Sequence, residues 1–268
     1  MAASDSPLQR LRDVVKALIA PDGCPWDREQ TPGSLCEYVL EEAHELVEAI
    51  RHGTVADVRE ELGDVLFLLV FISTLYEKTG DFSLDDAIGT SAAKMIRRHP
   101  HVFADTVFDS KDAQLAAWES IKRSEKPAED GSPAGVFDSL PRSLPPLLKA
   151  YRIHSKAARV GFTWDSDQDV EQQAEAEWLE LLEAMQSGDK AAQEHELGDL
   201  VFTLVELGRR KGIKASAAVD GTAHRFLNRF KQMEQAARSG GRDFTELDMD
   251  ELNSLWEAAK LGEKGDPA

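Results

Sequence analysis

The chain is poor in the features that would give it a covalent framework or a place in a membrane. Its 268 residues include only two cysteines, Cys24 and Cys36. Neither belongs to a CxxC pair or stands beside a zinc-ligand set, so two reduced thiols are expected rather than a disulfide scaffold or a structural zinc. The segment Met1 to Pro7 lacks the charged-then-apolar order of a signal peptide, which predicts a cytoplasmic protein. No apolar run reaches the ~20 residues of a membrane span. The longest run follows Asp64, is interrupted by Ser73, Thr74 and Glu77, and reads as a core helix. Strand signals are absent too, with no convincing alternation and no Asn-Gly hairpin turn. Positive charge is scarce: 31 Lys and Arg face 49 Asp and Glu, a formal net charge of −18. Such a surface disfavours nonspecific binding to nucleic acid or anionic membrane, which it repels at long range, and allows a small anionic ligand where its site is locally basic.

What remains is helical periodicity, which predicts an all-α protein long enough for two compact domains. Leu8, Leu11, Val14, Val15, Leu18 and Ile19 form one stripe of an opening helix, which Pro21-Asp22-Gly23 ends. The helix carrying Glu41 to Glu48 turns at His52-Gly53-Thr54 into a second one carrying Glu61 to Tyr76. A further helix spans about Leu84 to Arg98, and a short one holds Trp118 and Lys122. Residues 124–146 are rich in Pro, Gly, Ser and charge and read as a linker. The expected organisation is a domain over 1–123, that linker, a domain over 147–261, and a disordered tail over 262–268.

Acidic residues at helical spacing carry the chemistry. Glu42 and Glu45 lie three apart, as do Glu61 and Asp64, so each pair shares one helix face. Four carboxylates converging between two helices would repel one another and raise their own pKa values, whereas a divalent cation would neutralise them. A merely solvated acidic face is the alternative, but Glu61 and Asp64 open directly into Val65-Leu66-Phe67-Leu68, an apolar context that suits a semi-buried cleft. The arrangement recurs at Glu177, Glu180, Glu196 and Asp199. Glu45 to Glu61 and Glu180 to Glu196 are both separations of 16 residues. Gly161-Phe162-Thr163-Trp164-Asp165 echoes Gly23-Cys24-Pro25-Trp26-Asp27, Arg225 to Arg229 echoes Lys94 to Arg98, and Trp256 to Lys260 echoes Trp118 to Lys122. Landmarks recurring in one order at offsets between 131 and 138 residues indicate an internal duplication.

These residues, together with Arg97-Arg98-His99-Pro100-His101-Val102-Phe103 and Leu140-Pro141-Arg142-Ser143-Leu144-Pro145, resemble the tandem-domain MazG family of nucleoside triphosphate pyrophosphohydrolases. The resemblance runs from about Leu8 to Lys260. It implies helical bundles intertwined in a homodimer, and Mg²⁺-dependent hydrolysis of NTP and dNTP to the monophosphate and pyrophosphate, with Mn²⁺ as a substitute. Glu42, Glu45, Glu61 and Asp64 would be the metal ligands, and Glu41 together with Glu42 the catalytic carboxylates, Glu41 orienting or deprotonating water. Lys94, Arg98 and Lys122 would grip phosphate, with Trp118 packing in the core or stacking on the base. In the second domain Glu177, Glu180, Glu196 and Asp199 would bind metal, and Arg225, Arg229, Trp256 and Lys260 nucleotide. Ala176 stands where the first copy has Glu41, which predicts more turnover in the first repeat. Two other readings compete: a metal- and nucleotide-binding regulatory module with weak or no turnover, and a pyrophosphatase restricted to one NTP or dNTP.

Overall fold

The computed structural model describes residues 6–125 and 135–263, which contain helices and no strand. The all-α expectation holds. The chain divides into two compact units, Met1–Lys111 and Asp112–Ala268.

The first unit holds α1 (Pro7–Leu18), α2 (Pro25–Arg28), α3 (Cys36–His52), α4 (Val55–Thr79), α5 (Leu84–Arg98) and α6 (Pro100–Phe103). Gly53 and Thr54 alone separate α3 from α4, so the two helices fold back on each other as a hairpin. Thr54 fixes where α4 starts. Its hydroxyl accepts from the Asp57 amide at 3.3 Å while Asp57 Oδ2 accepts from the Thr54 amide at 2.7 Å, a reciprocal cap that stabilises the first turn by about 1 kcal/mol. Gly80, with φ of 80°, ends the same helix in the left-handed region that a side chain would disfavour. Ser83 and Asp86 repeat the capping arrangement at the start of α5. The core is small: Val15 of α1, Leu35 before α3, and Leu68, Val70 and Phe71 of α4 are buried together. Each such side chain contributes roughly 1.5–3 kcal/mol. Of the opening stripe, Val15 is buried whereas Leu8 and Val14 stay exposed.

The second unit holds α7 (Lys111–Ser124), α8 (Pro146–Arg159), α9 (Asp167–Ser187), α10 (Lys190–Arg210), α11 (Ala215–Ser239) and α12 (Met249–Glu263), with a short 3₁₀ turn over Phe244–Glu246. The α9–α10 hairpin turns at Gly188, with φ of 75°, and Asp189, whose carboxylate caps α10. This core is rich in small residues, with Ala150, Ala157, Ala184 and Ala237 buried beside Val170, Leu181, Val205 and Met233. It also encloses His154, Lys156, Thr203 and Glu206.

Repeat spacing put the helix of Trp118 and Lys122 at the end of a first domain over 1–123, whereas the spatial division falls between Lys111 and Asp112. Ion pairs account for the difference. Glu119 of α7 is buried against Arg159 and lies 3.8 Å from Lys156, both on α8. Lys156 Nζ also donates to the Val136 carbonyl and to Ser139 Oγ, both at 3.0 Å, so a nearly inaccessible ammonium has two hydrogen bonds beside its ion pair. Of the expected linker, residues 126–134 lie outside the described residues, and the remainder enters the second unit through Val136 and Ser139. Of the expected tail, residues 264–268 lie outside the described residues, while α12 continues through Glu263.

Both hairpins leave one apolar stripe uncovered. Leu62, Leu66 and Leu69 of α4 are 43–48% exposed, and Leu197, Val201 and Leu204 at the matching places of α10 are 38–50% exposed. Among the described residues no helix is long and apolar enough to cross a membrane.

Candidate functional site

The α3–α4 hairpin brings together carboxylates that are 19 to 22 residues apart in the chain. Each of Glu42, Glu61 and Asp64 places one carboxylate oxygen within 4.8 Å of the others. In the α9–α10 hairpin, Glu177, Glu196 and Asp199 form the same trio within the same limit. Helical geometry explains the registry: Glu61 and Asp64 sit one turn apart on α4, and Glu42 faces them from α3 across the hairpin. Three carboxylate oxygens this close together could hold a hard divalent cation.

Electrostatics show how tightly the acids crowd. Glu42 is pushed above the usual carboxylate range, first by desolvation and then by Glu45, Asp64, Glu61 and Glu41. Glu61 is raised too, by desolvation and then by Glu45 and Asp64. Glu180 rises for the same reasons, with Glu177 and Glu196 as its main neighbours. Glu45 and Glu180 thus stand beside their trios as charges rather than within them. Glu41 is exposed, and Ala176 fills its place in the second unit. In the chain by itself the cleft is open: Glu42 and Glu61 are half-buried, and Asp64 is exposed.

Two neighbours of the second trio escaped the sequence reading. Gln173 Nε2 donates to Glu177 Oε1 at 2.8 Å, and His195 Nε2 lies 3.4 Å from Asp199 Oδ2. One turn of helix separates each from its carboxylate, a spacing that could have flagged both. The first repeat has Tyr38 and Glu60 at the matching positions.

The chain is 37% identical over 259 residues to a nucleoside triphosphate pyrophosphohydrolase of Escherichia coli K12, covering 96% of this chain and 98% of that protein. It is 38% identical over 256 residues to a nucleoside triphosphate pyrophosphohydrolase/pyrophosphatase MazG of Thermotoga maritima, covering 96% of both. A profile of the MazG nucleotide pyrophosphohydrolase domain matches residues 30–103. The chain belongs to the MazG family. It also matches an uncharacterised Bacillus subtilis protein, YabN, at 37% identity, where it covers 51% of the longer partner.

The MazG-domain match takes in Glu41, Glu42, Glu45, Glu61, Asp64, Lys94 and Arg98, and stops before Trp118 and Lys122. Lys94 and Arg98 lie one turn apart on α5, both half-buried. Trp118 and Lys122 belong to the second unit, where the Lys122 ammonium lies 5.2 Å from the Trp118 ring centre. Arg159 approaches the same ring at 6.0 Å, so packing against cations occupies this tryptophan. The second set is brought together more completely. Arg229 of α11 lies 5.3 Å from the Trp256 ring of α12, and Lys260, one turn beyond, pairs with Glu257 at 2.8 Å. Arg225 points elsewhere along α11, donating to Thr222 Oγ1 at 2.9 Å.

Proposed function

We propose that this MazG-family chain hydrolyses nucleoside triphosphates to the monophosphate and pyrophosphate, with a divalent cation held by Glu42, Glu61 and Asp64. The observation that carries the reading is the trio of carboxylate oxygens within 4.8 Å, built twice. Chemistry of the donor set favours a hard ion with oxygen ligands, Mg²⁺ first and Mn²⁺ as a substitute. Such an ion supplies charge neutralisation at the α-phosphate and lowers the pKa of a bound water. Glu45 adds a fourth negative charge beside the trio. Glu41, exposed one residue from Glu42, would orient the attacking water or take its proton. Lys94 and Arg98, a turn apart on α5, present cations to the outer phosphates.

In the second repeat Glu177, Glu196 and Asp199, with Glu180 beside them, would hold the ion, and Arg225, Arg229, Trp256 and Lys260 would contact nucleotide. Ala176 leaves that repeat without the counterpart of Glu41, which favours slower turnover there. The uncovered stripes of Leu62, Leu66 and Leu69, and of Leu197, Val201 and Leu204, support a homodimer in which a second copy covers them. Sedimentation at twice the chain mass is the expected result. Two free cysteines and an acidic surface fit a cytoplasmic enzyme that engages neither nucleic acid nor membrane.

The bond broken is the decisive test. ATP with Mg²⁺ should give AMP and pyrophosphate, with little ADP or free phosphate, when products are resolved by ion-exchange chromatography. ADP and phosphate as main products would refute the assignment.

A further inference from the structure

The second unit encloses charged groups that the carboxylate chemistry does not use. Glu206 of α10 is 1% exposed and meets Arg209 through two bonds, Nε to Oε2 at 2.6 Å and Nη2 to Oε1 at 2.9 Å. Thr163 Oγ1 donates to Glu206 Oε1 at 3.3 Å. His154 of α8, also buried, lies against the same carboxylate, with Nδ1 3.7 Å from Oε2. The matching positions of the first unit carry Lys16, Phe71 and Thr74 in place of His154, Glu206 and Arg209.

The other ring nitrogen fixes the protonation state of this histidine. Nε2 faces the Phe202 carbonyl at 3.0 Å, and a carbonyl oxygen only accepts, so Nε2 carries the hydrogen. A neutral imidazole has one N–H, which leaves Nδ1 bare. The 3.7 Å between Nδ1 and Oε2 is longer than a hydrogen bond, as expected of two groups with no proton between them. Phe202 and Trp164, with ring centres 4.0 Å and 6.1 Å away, pack against the imidazole and hold it there.

In this state the cluster is balanced, one carboxylate against one guanidinium. A proton on Nδ1 would add a second buried cation, in competition with Arg209 Nε for Oε2, and would leave the interior with an unpaired charge. Among the described residues, Glu206 and Arg209 are the charged groups that act on the ring. On α8, Lys156 is engaged by Glu119, and Tyr151 lies under Lys214 of α11, 3.6 Å from its ring centre. Between α8 and α9, Asp165 is exposed, and Asp167 is held by Arg210 and Lys211. Burial pushes the His154 pKa down, Glu206 and the Phe202 carbonyl pull it up, and Arg209 lowers it again, for a net value below the ordinary 6.5.

We propose that His154 is a proton-sensitive contact between α8 and α10: the packed second unit requires its neutral imidazole, and uptake of a proton at Nδ1 loosens that unit. The direction follows from linkage. The opened chain binds the proton with ordinary affinity and the folded unit binds it more weakly, so stability falls as pH falls through about 6.5 and levels off below the lowered folded value. Each tenfold weakening of proton binding in the folded unit becomes a tenfold larger opening equilibrium at the bottom of that window. Glu206, whose pKa lies below the usual carboxylate value, stays ionised throughout. The contact is independent of the pyrophosphohydrolase reading.

The test uses the full chain without metal or nucleotide. With ¹⁵N in the histidine rings, long-range ¹H–¹⁵N correlation reads the tautomer, and the His154 signal is the one missing from the His154→Gln chain. The expected result is a hydrogen on Nε2 and none on Nδ1 near neutral pH, with a titration midpoint below 6.5. Hydrogen exchange read by mass spectrometry, corrected for the intrinsic pH dependence of exchange, then follows the opening of α8 and α10 beside that of α3 and α4. Opening of α8 and α10 should grow as pH falls from about 7.5 to about 5.5, by the factor that the measured His154 midpoint dictates. His154→Gln, whose amide supplies an N–H to the Phe202 carbonyl but takes up no proton, should lose that growth. Glu180 and the other carboxylates are present in both chains, so the difference between them belongs to His154. A hydrogen on Nδ1 at neutral pH, a midpoint at or above 6.5, or the same pH dependence in the parent and His154→Gln chains would each overturn the proposal. If the variant does not fold, the parent chain still decides: opening of α8 and α10 that stays flat across the window refutes it.

Discussion

Replacing Asp64 by Asn should make the metal-free protein slightly more stable and the Mg²⁺-loaded protein clearly less so. Asp64 is one of three carboxylates whose oxygens lie within 4.8 Å, and its charge raises the pKa of both Glu42 and Glu61. Without metal, the substitution relieves that repulsion while nearly keeping the shape. With metal, it removes a charged ligand. Even a partner that only orients a ligand is worth 10- to 100-fold in affinity, so losing the ligand itself should cost at least about 100-fold. At Mg²⁺ a hundredfold above its dissociation constant, binding stabilises the site by about 2.7 kcal/mol; a hundredfold weaker site would retain about 0.4 kcal/mol. For a unit of this size that corresponds to a Mg²⁺-induced rise in melting temperature falling from about 10 °C to about 2 °C. Differential scanning calorimetry with and without Mg²⁺ measures both halves. The pH dependence follows from the same acids. Glu42 and Glu61 have folded pKa values above 4.5, so the metal-free fold holds more protons than the unfolded chain and loses stability as pH rises through that raised range. Mg²⁺ relieves the repulsion, so its stabilising effect should grow over the same interval. A solvated acidic face would show neither the opposite signs nor the growth with pH, and their absence would refute the metal site.

The remaining predictions address other parts of the molecule. Asp64→Asn should remove most turnover while Asp199→Asn leaves a substantial fraction, since Ala176 deprives the second repeat of a carboxylate; the reverse ranking in steady-state kinetics would overturn that argument. Arg98→Ala should weaken nucleotide binding by roughly 10- to 150-fold, the worth of a desolvated charge-assisted contact, while leaving Mg²⁺ affinity intact. Lys122→Ala should act in the same direction, and calorimetric titration of nucleotide and metal separately distinguishes these losses from damage to the carboxylates. Glu206→Ala should cost about 3–5 kcal/mol in urea unfolding, because it strands Arg209 and His154 in the interior. Burial raises the Glu206 pKa and the Arg209 pair lowers it further, for a net decrease. Its contribution should therefore be present above pH 4.5 and lost as pH falls through the lowered value. A cost below about 1 kcal/mol at neutral pH would show that the cluster is dispensable.

Helices were legible because their signals are local. Thr54, Ser83 and Ser166 each stand three residues before an aspartate that completes a cap, and Gly80 and Gly188 end helices with positive φ. Periodicity then placed the opening helix and the turn at Gly53 close to their observed limits. What the pattern could not supply is the choice between alternative long-range partners. Trp118 and Lys122 follow α5 in sequence, at the offset that suits a first repeat. Their helix nevertheless goes with the second unit, because Glu119 finds its cations at Lys156 and Arg159. A buried carboxylate such as Glu119 carries no mark in the sequence that says which basic residues it will meet.

Carboxylate chemistry was legible for the same reason that the helices were, since i, i+3 spacing turns a linear motif into a face. The cross-hairpin step was also foreseeable, because a connection of two residues leaves α3 and α4 little freedom in how they meet. The spacing did not reveal that three acids rather than four approach within 4.8 Å, with Glu45 and Glu180 standing off as neighbouring charges. Nor did it reveal Gln173, which donates to Glu177, or His195, which lies 3.4 Å from Asp199, where the first unit has Tyr38 and Glu60. The two hairpins therefore present a like trio with different neighbours. Gln173 donates to one carboxylate of the second trio and His195 stands against another, so the two trios differ in the groups that hold their side chains in place. Because Ala176 stands where the first unit has Glu41, the comparison of Asp64→Asn with Asp199→Asn is the measurement that ties this difference to turnover.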